Sequence, residues 1–169
     1  MRNLCTWVLL ALLLFLSCSD SGTAPRSVTI VRTGTSFGEC AGWCFQDVEI
    51  RGIFATFLLR QWTPGQAEYR GTSRLTLDEW RSLVRALDME ALAALPDVLG
   101  CPDCADGGAE WIEVEHEGTG KRVTFEFGSQ IPPIQSLLDA ARALREEILP
   151  DSAAGGSGMQ GASDVKNGG

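Results

Sequence analysis

Hydrophobic and polar residues alternate along several separate stretches of the chain, and a period of two predicts a strand with one face buried. Val28 and Ile30, with their neighbours up to Arg32, read as a first short strand, followed by a glycine-rich loop from Gly34 to Trp43. Val48 and Ile50 alternate with Glu49 and Arg51, the pattern of a half-buried strand. Phe54 to Trp62 is a further apolar strand, and Pro64-Gly65 is a strong turn signal. Ala67 to Leu75 returns as a weaker strand.

The period then changes. Thr76 and Glu79 have the spacing of a capping box, in which each side chain satisfies the other residue's backbone N–H. Trp80, Leu83, Val84 and Leu87 follow on one helical face, which predicts that Leu83 and Leu87 are buried. The same period extends through Ala91 and Leu95 until Pro96 ends it. Past Cys101 and Cys104, Ile112 and Val114 alternate with Glu113, Glu115 and Glu117. Beyond Gly118-Thr119-Gly120, Val123, Phe125 and Phe127 alternate with Arg122, Thr124 and Glu126. Centring the turn on Gly118-Thr119 pairs Val114 with Val123 and Glu115 with Arg122, both chemically sensible. A last helix opens at Pro132-Pro133 and sets Ile134, Leu137, Leu138, Ala141, Leu144 and Ile148 on one face. One-sided strands and one-sided helices cover each other most economically as an α+β fold, an antiparallel sheet with two helices packed on one face.

The two ends do not belong to that domain. Arg2 precedes an unbroken apolar run from Trp7 to Leu16. The run is too short to cross a hydrocarbon core of roughly 30 Å as a helix, but it suits the apolar stretch of a secretory signal. Phe15-Leu16-Ser17-Cys18 follows and resembles the lipobox of bacterial lipoproteins, with Phe15 standing where leucine is usual. That resemblance implies a signal peptide over residues 1–17 and acylation of Cys18. It places the protein on the cell membrane or outer membrane, facing the periplasm or exterior, with the bilayer as a partner through its lipid (palmitate or a similar acyl chain). A plain signal cut after Ala24 is the alternative, and Pro25 directly after that cut argues against it. Residues 18–26 then form a flexible, lipidated tether. Residues 27–149 form the domain, and the Gly-, Ser- and Ala-rich residues 150–169 form a disordered tail.

Composition narrows the function classes. The chain has 14 basic and 22 acidic side chains, and removing residues 1–17 takes away only Arg2, leaving a net charge of −9. A surface this acidic repels phosphates, which excludes nucleic acid as a partner.

Four cysteines remain in the domain as Cys40-x-x-x-Cys44 and Cys101-x-x-Cys104. In an oxidising exported compartment an even number predicts disulfides. A bridge between the two motifs would close some 60 residues and remove roughly 4 kcal/mol of unfolded-state entropy, which favours cross-pairing over bridges within each motif. Four thiolates could instead hold a structural zinc ion. A thiol–disulfide redox pair at Cys101-Pro102-Asp103-Cys104 is the third reading. Asp103 and Asp106 weigh against it, because carboxylates raise a thiol pKa.

His116 is the only histidine and ends a strand beside a turn, a poor place for a general base. Glu113, Glu115 and Glu117 lie on the solvent side of the hairpin at period-two spacing. Asp103, Asp106 and Glu110 lack a calcium-loop pattern. No catalytic residue, metal or cofactor follows from the sequence, so the domain reads as a binding module rather than an enzyme. The most suggestive surface element is the cysteine-pinned loop, in which Phe37, Glu39 and Trp43 are candidate binding residues for a protein partner. Trp43 covering the edge of the core is the competing reading.

The order of a strand, a Gly-x-x-x-Gly loop (Gly38 to Gly42), further strands, a long helix, an acidic hairpin and a proline-led final helix resembles the emfourin family of small bacterial metalloprotease inhibitors. The resemblance implies a binding module acting on a protease. The four cysteines depart from that family, and no functional residue is carried over from it.

Overall fold

A computed structural model of the protein describes residues 28–63, 65–104 and 107–156. Cys18, the signal segment, the tether and residues 157–169 of the tail lie outside the described residues, as do Pro64 and Asp106. Seven strands, β1 (Thr29–Ser36), β2 (Phe45–Arg51), β3 (Phe54–Arg60), β4 (Glu68–Arg74), β5 (Val98–Leu99), β6 (Ala109–His116) and β7 (Thr119–Glu126), form one sheet. Their order is β4-β3-β2-β1-β6-β7-β5, antiparallel throughout except for the short β5, which runs parallel to β7. Helices α1 (Leu77–Arg85), α2 (Met89–Ala93) and α3 (Gln135–Ile148) supply the α part of this α+β fold.

The strands alternate as their sequences predict. Val31, Val48, Ile50, Ala55, Leu59, Ile112, Val114, Val123 and Phe125 point to the helix side and join Leu83, Leu92 and the inner face of α3 in one core. All six apolar residues read onto the final helix, Ile134, Leu137, Leu138, Ala141, Leu144 and Ile148, are buried there. The glycine-rich loop begins later than expected, because β1 runs on through Gly34 to Ser36.

The capping box forms as read. The Thr76 hydroxyl accepts from the Glu79 N–H at 3.3 Å, and the Glu79 carboxylate accepts from the Thr76 N–H at 2.6 Å. The helix it opens is shorter than its periodicity suggests. Asp88 accepts from the Ala91 N–H at 2.9 Å and so caps a second helix, which breaks the long pattern into α1 and α2. Leu87 falls between the two and is only half-buried, a correction to its expected place in the core.

The β6–β7 register also differs. Ile112 faces Val123, Glu113 faces Arg122 and Val114 faces Lys121, so the turn is centred on Glu117-Gly118, one residue earlier than expected. Both turn residues have positive φ, 52° and 78°, the backbone of the tight turn that matches strand twist. Each strand residue keeps its face, because moving the turn by one residue displaces the pairing by two.

Residues 151–156, expected to belong to a disordered tail, form a 3-10 helix instead. Ala153 is buried, and its carbonyl accepts from the Gln46 amide at 2.9 Å. The segment is anchored by one buried methyl and one buried hydrogen bond, which compositional reasoning does not register.

The core side also holds a polar layer. Glu110 is buried against Arg142 and Arg145 of α3, and Arg145 donates to the Thr33 hydroxyl at 2.9 Å. Thr33 in turn donates to the Trp111 carbonyl at 3.1 Å.

Candidate functional site

The helices cover one side of the sheet, and among the described residues nothing covers the opposite side, which is the broad face left for a ligand. Strand register lays its side chains out in rows. One row runs Thr72, Thr56, Glu49, Arg32, Glu113 and Arg122 across six strands; the next runs Arg70, Leu58, Asp47, Gly34, Trp111 and Thr124. Gly34 interrupts the second row, and the Trp111 ring lies over the gap. A β-carbon at Gly34 would come within 2.7 Å of that ring and 2.4 Å of the Gln46 carbonyl oxygen. Arg122 closes the other side, its guanidinium 3.9 Å from the Trp111 ring centroid. A tryptophan on the uncovered side of a sheet is thereby only 8% exposed.

Ion pairs hold the surrounding side chains. Arg32 donates to Glu49 and to Glu113, both at 2.7 Å, and lies 3.7 Å from Glu115. The Glu49 hydrogen bond holds the Arg32 guanidinium above its ordinary pKa, against burial and with help from Glu113. Arg60 donates to Asp47 at 3.0 Å and lies over the Phe45 ring, which stacks on Trp62. Individually such half-exposed pairs contribute about 0.2–1 kcal/mol, but together they fix the side chains in place.

Between these pairs lies an open groove of about 530 Å³, lined by Leu58, Asp47, Trp111, Arg32, Arg70 and Thr72 among others. A second hollow continues past Trp111 towards Pro102 and Asp103.

The four domain cysteines, Phe37, Glu39 and Trp43 gather at one end of the sheet. Cys40 is joined to Cys44 and Cys101 to Cys104, with Cα–Cα distances of 5.5 and 5.4 Å. The expected cross-pairing is therefore corrected, since each bridge closes within its own motif. The two loops are nevertheless neighbours. Ser36 donates to Asp103 at 3.1 Å, and Phe37 packs edge-on to Phe127 with centroids 4.8 Å apart. Among the described residues no three ligand-type side chains converge, so the four sulfurs do not form a tetrahedral cluster. The Cys101–Cys104 loop lies between β5 and β6, and among the described residues no α-helix that would activate a thiol starts at it.

Within the first loop Glu39 is fully at the surface with a positive φ of 49°, and Phe37 is half-buried under the loop. Trp43 turns to the helix side, where it packs on the core rim with its ring 6.4 Å from Tyr69. The loop thus presents Glu39 alone of the three candidate residues. His116 sits at the opposite end of the sheet, Nδ1 2.7 Å from the Thr29 hydroxyl.

Trp111, Leu58, Asp47 and Arg70 were not legible as a site. One signal was available: Trp111 occupies the polar phase of the β6 alternation, out of step with Ile112 and Val114. A large aromatic in the solvent phase of a strand marks a face with something to cover. No protein-family model matches the chain, and no curated protein matches it either.

Proposed function

We propose that this chain is an exported, lipid-anchored binding module of the bacterial envelope, and that it takes a protein partner on the uncovered face of its sheet. The observation that carries this reading is the groove between Leu58 and Trp111. Its lining sets Leu58 and Trp111 among Arg32, Asp47, Glu49 and Arg70, the mixture of apolar contact and charge that protein interfaces use. Arginine and tryptophan are the side chains that most often dominate such contacts. The ion pairs around Arg32 and Asp47 keep the surface preorganised, which lowers the entropy cost of association. The two short bridges act as staples for the loops at the end of that face. The address rests on the apolar run that ends at Ser17-Cys18.

Two variants test the two halves separately. Cys18→Ser is expected to leave the protein soluble or as an unprocessed precursor in fractionated cells; a variant that fractionates and migrates like the native chain ends the lipoprotein reading. Leu58→Glu puts a charge at the centre of the groove, where Leu58 is half-exposed and the fold should tolerate it. Affinity capture from detergent-solubilised membranes is expected to lose its principal partner with this variant, with binding at least ~10-fold weaker. Retention of the same partner at full strength would move the recognition surface elsewhere.

A further inference from the structure

The two edges of the sheet are unlike. The β5 edge is only two residues long, whereas β4 presents seven residues, none of them buried, with no neighbour on its outer side among the described residues. Native proteins protect a long edge by placing charges that repel an incoming strand. On β4 the charges are Glu68, Arg70 and Arg74, all on the uncovered face together with Thr72.

A second copy of the chain would meet this edge antiparallel, about a two-fold axis perpendicular to the sheet. Equivalent faces then stay together, so each residue pairs with one of its own parity. Centring the axis on Arg70 would put that arginine against itself, and centring it on Thr72 would put Arg70 against Arg74. Centring it on Gly71 overlaps all seven residues, sets Glu68 opposite Arg74 of the second copy, twice by symmetry, and sets Arg70 opposite Thr72. The longest register thus has complementary charge; an axis on Tyr69 would also set Glu68 against Arg70, but it overlaps only three residues of β4. Arg74 is also poised for it: the guanidinium lies 5.9 Å from the Phe54 ring centroid, and among the described residues no carboxylate pairs with it, whereas Glu68 pairs with Arg70 of its own strand at 2.9 Å and would share its carboxylate with the incoming Arg74.

From this complementarity we infer that the protein forms a symmetric dimer through β4, joining two seven-stranded sheets into one of fourteen. Arg70 and Thr72 line the groove described above, so the axis also joins the two grooves end to end into one trough across both copies. The edge pairing does not depend on what the groove binds.

Sedimentation equilibrium of the full chain in density-matched detergent, over a range of protein concentrations, tests the inference. The native chain is expected to be dimeric. Glu68→Arg and Arg74→Glu should each weaken dimerisation roughly 10-fold, because each places two like-charge pairs across the axis. The double variant Glu68→Arg/Arg74→Glu restores both pairs with their signs exchanged and should return to within about threefold of the native value. Both substituted positions are at the surface, so unchanged thermal unfolding will confirm that the variants fold. A monomer at every concentration overturns the dimer. A dimer indifferent to both single reversals, or a double variant as weak as the singles, overturns the β4 register.

Discussion

Replacing Glu110 with alanine is expected to destabilise the domain by about 3–5 kcal/mol, because it strands two guanidinium groups in a site from which water is largely excluded. The Glu110 side chain is 2% exposed, Arg145 is 8% exposed and Arg142 is 20% exposed. The carboxylate accepts from Arg142 at 2.7 Å, from Arg145 at 2.8 Å and from the Gly128 N–H at 3.3 Å. Arg142 keeps only the Ser129 carbonyl when Glu110 is gone, and Arg145 only Thr33. Urea unfolding with a loss under about 1 kcal/mol would show that the arginines reach water or another partner.

The same carboxylate makes stability depend on pH. Burial, the largest single influence, pushes its pKa up, but the hydrogen bonds and charges of Arg142 and Arg145 together outweigh it and hold it below the ordinary carboxylate value. A group with a depressed folded pKa contributes stability that is present above its unfolded pKa, about 4.3, and that is lost as the pH falls through the lower folded value. Native protein should therefore lose stability below about pH 4 more steeply than the Glu110→Gln variant, which has no proton to take up at that site. Equal slopes on the acid side would assign the loss to other carboxylates.

The second large effect is expected at Leu83. Its side chain is fully buried in the core, and Leu83→Ala should cost about 2–5 kcal/mol through lost transfer energy and the cavity left behind. Leu87 carries the same sequence signal but lies past the end of α1, so Leu87→Ala should cost less than about 1.5 kcal/mol. Comparing the two in one denaturation series checks the assignment. Equal costs would mean that the periodicity, and not the Asp88 cap, describes this stretch.

That pair of leucines illustrates what local pattern can and cannot carry. The α1 cap, the six apolar residues of the last helix and the alternation of β6 and β7 all follow from interactions within about four residues, and all are legible. Where one helix gives way to another depends on a single aspartate outcompeting continued periodicity. Loop-closure entropy favoured the long disulfide, but the entropy of the unfolded chain does not fix native geometry, and each pair of cysteines already lies 5.5 Å apart or less across its own loop. The uncovered face was hidden for a different reason. Its groove brings together Arg70, Leu58, Asp47 and Trp111 from four strands, and its shape depends on a strand order in which β6 lies beside β1. Likewise Glu110 meets Arg142 and Arg145 across 32 and 35 residues of chain. No local period encodes such pairs.

The central position of β1 has a mechanical consequence. β1 begins at Thr29 and is held on both sides, by β2 and by β6, along ladders that span its length. Eight residues at about 3.3 Å each carry it roughly 26 Å to the bridged loops at the far end. Tension applied at Thr29 and resisted near those loops would run along the strand. It would load both ladders in shear, with many hydrogen bonds sharing the force at once. An edge strand such as β4 would instead peel from its single neighbour, one bond after another. A domain pulled by its leading strand in this way should resist unfolding under load far better than its modest size suggests.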